Sequence, residues 1–211
     1  EIVNEDKDLS AYPFVVIPAC QMVDKALVDK WTKYAENGGH LIVTVRTGLK
    51  DRNGHFPEGE WACSISNLIG AKIVMNDMLG GNKTAKVTMA GKEYSWNNWG
   101  DMLEPAKGTE VWANFADQFY AGLPTISNRK LGKGTVTYIG TDTDDGKLEQ
   151  AVLKKVFETN GVAVQELPEG VMINWRDGFW IACNYSSSNV ALDLPKGATK
   201  LVGGDLFSPA Q

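Results

Sequence analysis

At 211 residues, with a formal charge of -5 and a pI near 5.1, the chain has room for one α/β domain and a smaller appendage. The acidic balance argues against a nucleic-acid partner, because neutralising phosphates needs a basic face. No apolar run approaches the roughly 20 residues that span a bilayer, which argues against a membrane partner.

Ile2-Val3 is a short strand candidate, followed by a charged turn through Ser10. Phe14-Val15-Val16-Ile17 predicts an apolar strand and Pro18-Ala19-Cys20 a turn. From about Asp24 to Glu36, Leu27, Val28, Trp31, Tyr34 and Ala35 fall on one face at helical spacing, with Asp24 as N-cap and Gly38-Gly39 as the stop. Leu41–Val45 is a second buried strand, and two such strands joined by a helix make a βαβ unit of a parallel sheet.

A polar loop from Lys50 to Glu60 carries the turn signal Asn53-Gly54. A short helix is expected over Trp61–Ile69 and a strand over Ala71–Val74. Alternation over Lys86–Trp99 predicts inserted antiparallel hairpins, and Glu110–Phe115 another strand. Pro124–Asn128 and Thr135–Gly140 form a hairpin about Leu131-Gly132-Lys133-Gly134, before a helix over Lys147–Asn160. Composition changes at Leu167-Pro168-Glu169-Gly170, dividing the chain into residues 1–166 and 167–211. The second part holds only short strands: Val171–Trp175, Gly178–Tyr185, Val190–Leu194, Lys200–Val202 and Leu206–Phe207, with a turn at Arg176-Asp177-Gly178.

Parallel sheets usually carry their chemistry at the carboxyl ends of the strands. Here those ends hold Arg46-Thr47-Gly48 and Cys20, and they look chemically empty. Pro18-Ala19-Cys20-Gln21-Met22 lacks the glycines of a nucleophile elbow, so Cys20 reads as a buried structural thiol. Gly132-Lys133-Gly134-Thr135 joins two strands and so lacks the helix that a phosphate-binding loop requires. Asp142-Thr143-Asp144-Asp145-Gly146 fails the calcium-loop register and directly precedes a helix, which favours capping over a cation site. Three cysteines and two histidines show no metal-type spacing, so neither a metal nor a cofactor is expected. Ser95-Trp96-Asn97-Asn98-Trp99 mixes indoles with amides. That composition suits a sugar-binding face, and it equally suits a core or a subunit interface, the reading preferred here.

Two ordered blocks then point to a family. Asp8-Leu9-Ser10-Ala11-Tyr12-Pro13-Phe14-Val15-Val16-Ile17-Pro18-Ala19, followed after the helix by Gly38-Gly39-His40-Leu41-Ile42-Val43-Thr44-Val45-Arg46-Thr47-Gly48-Leu49-Lys50-Asp51, resembles the middle domain of family 42 β-galactosidases. Phe119-Tyr120-Ala121-Gly122-Leu123-Pro124 through Leu131-Gly132-Lys133-Gly134 to Thr141 resembles the last hairpin of the same domain. A third block, Leu167-Pro168-Glu169-Gly170-Val171, is similar to the start of the family's small C-terminal β domain.

The resemblance implies a flavodoxin-like, class I glutamine-amidotransferase-like parallel sheet with inserted hairpins and a small antiparallel β domain. In that family the fold is a non-catalytic trimerisation domain, and the catalytic glutamates lie on a preceding barrel. An amidotransferase nucleophile would fall near Arg46-Thr47 and its histidine near Thr141-Asp142, and neither residue type is there. The implied partners are the parent's own barrel, two further copies in a homotrimer, and the parent's galactoside substrate. Candidates for substrate-pocket or subunit contacts are Arg46, Thr47, Asp51, His55, Phe56, Trp96 and Trp99. The chain begins at Glu1 without a methionine and reads as a piece of a longer protein, its sheet short of a first strand and helix. The compartment stays open, with the cytoplasm favoured for the parent. A carbohydrate-binding module and a thiol enzyme using Cys20 are the competing readings.

Overall fold

A computed structural model describes residues 1–143 and 145–192. The chain divides into two compact units, Glu1–Asn160 and a second from Gly161 onward.

In the first unit, β1 (Phe14–Ile17) leads through α1 (Lys25–Glu36) to β2 (His40–Thr44). The N-cap is Asp24, whose carboxylate accepts the Leu27 N–H at 2.8 Å, and Leu27, Trp31, Tyr34 and Ala35 are buried as the periodicity predicts. Leu41, Ile42 and Val43 are fully buried, because β2 lies inside the sheet and is covered on both faces. After α2 (Cys63–Ile69) the chain turns antiparallel: β3 (Ala71–Leu79), β4 (Ala85–Met89), β5 (Lys92–Pro105), β6 (Thr109–Phe115), β7 (Pro124–Leu131) and β8 (Gly134–Ile139). The two-residue β9 (Thr141–Asp142) and α3 (Lys147–Thr159) complete the unit.

Among the described residues these strands form one nine-stranded sheet in the order β1-β2-β8-β7-β6-β4-β5-β3, with β9 paired to β5. Only β1-β2 and β2-β8 are parallel pairs. The expectation of a mainly parallel sheet is therefore corrected: the sheet is mixed and largely antiparallel. The physical reason is connection length, since a short turn can only reverse a strand, whereas a parallel return needs a crossover. Ile2-Val3 forms no strand, and Ile2 is fully exposed. Apolar clusters cover both faces, one built on α1 and α2 and the other on α3 with Trp96, Phe115 and Tyr120.

β5 makes the site possible. Its first half pairs with β4, and its second half pairs with β3 on one side and with β9 on the other. The Asp101 N–H donates to the Gly140 carbonyl at 2.6 Å, so an antiparallel strand reaches the carboxyl end of β8. Gly140 permits this approach, because a Cβ there would sit 2.4 Å from the Thr125 carbonyl oxygen.

In the second unit, β10 (Val171–Arg176) and β11 (Phe179–Asn184) pair antiparallel about Asp177-Gly178. Both turn residues have positive φ, as the predicted two-residue hairpin requires. Val190–Leu192 is not in a strand, and the remainder of the predicted Val190–Leu194 strand lies outside the described residues. So do the strands predicted over Lys200–Val202 and Leu206–Phe207, together with Asp144 of the acidic loop.

Candidate functional site

At the carboxyl end of β2 the chain reverses in a turn closed by the Thr47 N–H on the Thr44 carbonyl. Arg46 sits in this turn with φ 68°, a left-handed conformation that costs an ordinary L-residue about 1–2 kcal/mol. Its exposed side chain lies over the Trp99 ring, 5.0 Å from the centroid. Trp99 stacks on Trp61 (6.3 Å, 20°), Trp61 stacks on Phe56 (5.5 Å, 26°), and the Lys50 ammonium lies 5.3 Å over Phe56. The result is a column of three aromatic rings with a cation at each end.

Beneath it Asp101 is completely buried on β5. Its carboxylate accepts the Tyr138 hydroxyl at 2.6 Å and the Trp99 Nε1–H at 2.8 Å. Burial pushes the Asp101 pKa up to about 6, against the pull of the Tyr138 and Trp99 bonds and of Arg46. Burial and the neighbouring carboxylate drive the Tyr138 hydroxyl well above its ordinary value of 10, so it remains a donor at neutral pH.

The seven candidates separate cleanly. Arg46, Phe56 and Trp99 join the column. Asp51 organises the loop, its Oδ1 accepting the N–H groups of Asn53 and His55 at 2.8 and 2.9 Å, and those bonds, His55 first, hold its pKa down. His55 is exposed, with Nδ1 3.7 Å from the Asp51 carboxylate. Two candidates lie in the core. Trp96 is 1% exposed and packs edge-on against Phe115, so it is a core residue rather than a sugar platform. Three residues apart on one strand, Trp96 and Trp99 leave opposite faces. Thr47 is fully buried.

Sequence reasoning missed Lys50, Trp61, Asp101 and Tyr138. Asp101 carried a usable signal, since an acid inside the run Gly100-Asp101-Met102-Leu103 interrupts an otherwise buried strand end.

The other motifs resolve into structure. Cys20 bonds the Met22 carbonyl at 3.8 Å, and burial raises its thiol pKa, the opposite of nucleophile activation. His40 is engaged by the Thr135 hydroxyl at 3.0 Å. In the acidic loop the Asp145 carboxylate accepts the Lys147 N–H, while Thr143 and Glu149 bond each other across the first turn of α3. Among the described residues no three His, Cys, Asp or Glu side chains gather as a metal site, and no helix is long and apolar enough to cross a membrane. A cleft of about 770 Å³ lies between residues 8–13 and α1, lined in part by Asp29, Lys30, Lys33 and Tyr34, and it includes none of the column residues.

Comparison with known proteins decides the family. Residues 1–163 match the family model described as the β-galactosidase trimerisation domain. The chain belongs to this family. A β-galactosidase of Haloferax lucentense is 29% identical over 204 residues, which cover 96% of this chain and 30% of that protein. One of Lactobacillus acidophilus is 30% identical over 159 residues, covering 75% of this chain and 24% of that protein. Among solved structures, the polyextremophilic β-galactosidase of Halorubrum lacusprofundi matches with a TM-score of 0.80 at 28% identity, over 88% of this chain and 28% of that one. The β-galactosidase of Rahnella sp. R3 has the same TM-score at 23% identity, over 92% of this chain and 30% of that one, and shows the shared fold. This trimerisation-domain chain thus spans about a quarter to a third of the length of the proteins it matches.

Proposed function

We propose that this chain is the non-catalytic assembly region of a β-galactosidase-type glycoside hydrolase that acts on terminal β-galactosides, and that it holds three copies of the parent together. The observation that carries this is the trimerisation-domain match over residues 1–163. Residues 1–166 form the assembly domain and 167–211 a small C-terminal β domain; the parent's catalytic barrel, the neighbouring subunits and a galactoside are the partners. Arg46, Phe56 and Trp99, with the Asp51–His55 loop beside them, contact a neighbouring subunit or wall the barrel's pocket. This reading is supported by the exposure of Arg46 and Phe56 and by the cation that each end of the column presents.

The finer fold assignment, glutamine-amidotransferase-like, is part of the same proposal. It is supported by the β1-α1-β2 unit, by the parallel β2-β8 pair, and by the left-handed Arg46 at the β2 end, where an amidotransferase would carry its nucleophile. Arginine at that elbow is no nucleophile, because its guanidinium stays protonated.

Sedimentation of the full-length protein tests the proposal. A trimer is expected, and a monomer that retains full β-galactosidase activity overturns it. Titrating galactosides into the chain tests the carbohydrate-module reading, for which the column leaves little ring face free. Saturable binding would favour that reading over assembly.

A further inference from the structure

Among the described residues Asp101 is the one Asp, Glu, Lys or Arg with no exposed surface. Two donors from two strands converge on its carboxylate: Tyr138 from β8 and Trp99 from β5. One of them, Trp99, carries the Arg46 guanidinium over its ring at one end of the column. Arg46 holds a backbone conformation that an arginine does not adopt freely. Trp99 is half-buried, and its indole edge is pinned to Asp101 while its face meets Trp61 and Arg46.

We propose that Asp101 is the positioning residue of this site: its carboxylate, braced by Tyr138, pins the Trp99 ring and so sets the pose in which the column and the Arg46 guanidinium lying over that ring meet a partner. That pose matters only under the assembly and pocket-wall reading given above, but the tie itself can be measured without it. A simple stabilising role does not account for the arrangement well. Burial raises the pKa of this carboxyl, so the ionised form is the less favourable one for folding, yet both partners donate to it, and the indole N–H of Trp99 can do nothing else. Asp101 acts through Trp99 and touches no substrate.

The test is made in the full-length protein with Asp101→Asn, Asp101→Ala, Tyr138→Phe and Trp99→Phe. The spectroscopic reporter is the exciton circular-dichroism couplet of the Trp61–Trp99 stack, taken as the difference from Trp99→Phe. Asp101→Ala should lower the couplet about twofold or more while cooperative unfolding persists, and Asp101→Asn, which keeps one carbonyl acceptor, should restore most of it. An undiminished couplet in Asp101→Ala overturns the proposal, as does equal loss in Ala and Asn. Should Asp101→Ala fail to fold, Tyr138→Phe decides, because it unbraces the carboxylate without removing it. A weakened couplet there supports the proposal, and an unchanged one overturns it. Trimer dissociation and galactoside KM are measured on the same variants. A lost couplet with both unmoved supports the positioning and overturns only the contact reading beneath it.

Discussion

Replacing Asp101 with asparagine should flatten one component of the pH dependence of stability. The folded chain holds this carboxyl at a pKa of about 6, against an ordinary value of 3.8. Between these values the folded state binds the proton and the unfolded state has released it, so stability falls as pH rises through the window. The whole difference corresponds to about 3 kcal/mol, of which roughly 2 kcal/mol falls between pH 4.5 and 7.5. Asp8, Asp24, Asp51 and Asp145 have lowered pKa values, and their contributions run the other way, fading as pH falls. Both proteins share these groups, so they cancel when wild type and Asp101→Asn are compared. Urea unfolding followed by tryptophan fluorescence at the two pH values supplies the comparison. On going from pH 7.5 to 4.5 the wild type should gain about 2 kcal/mol relative to the variant, a midpoint shift of roughly 1 M urea. Parallel midpoints would refute the reasoning, and so would a relative loss in the wild type on acidification.

Three further outcomes are expected. Gly140→Ala should destabilise the chain by about 1–3 kcal/mol in a thermal or urea melt, because its Cβ would meet the Thr125 carbonyl oxygen where β5 and β8 converge. Asp24→Ala should cost about 1 kcal/mol of stability through loss of the α1 cap, with little more from its exposed pairing to Arg52. The two tryptophans of the Trp96-Asn97-Asn98-Trp99 segment should separate in urea melts and sedimentation. Trp96→Ala should cost about 3–5 kcal/mol of stability, whereas Trp99→Ala should cost less and should have the larger effect on trimer dissociation.

The family was legible in the sequence because ordered blocks of residues carry it, and the local elements were legible because near neighbours decide them. The α1 face, its Asp24 cap and its glycine stop all lie within a few residues of one another, as do the β7-β8 turn and the Asp177-Gly178 turn. The same locality explains why Arg46, Phe56 and Trp99 could be named in advance: two lie in the loop after a predicted strand end, and the third lies in an aromatic segment.

What the tertiary structure alone decided is which distant residues meet. The two halves of β5 pair with different strands, a matter of long-range hydrogen bonding that no local pattern encodes. That pairing turned Trp96 into the core and carried Trp99 and Asp101 to the end of β2. A carboxylate's pKa depends on the water it loses and the donors it gains, and for Asp101 one of those donors comes from a residue 37 positions away along the chain. The sequence alone therefore determined the family and the elements, through contacts that are short in chain distance. The buried tie of Asp101 to Trp99 and Tyr138 exists only once the sheet has closed around it.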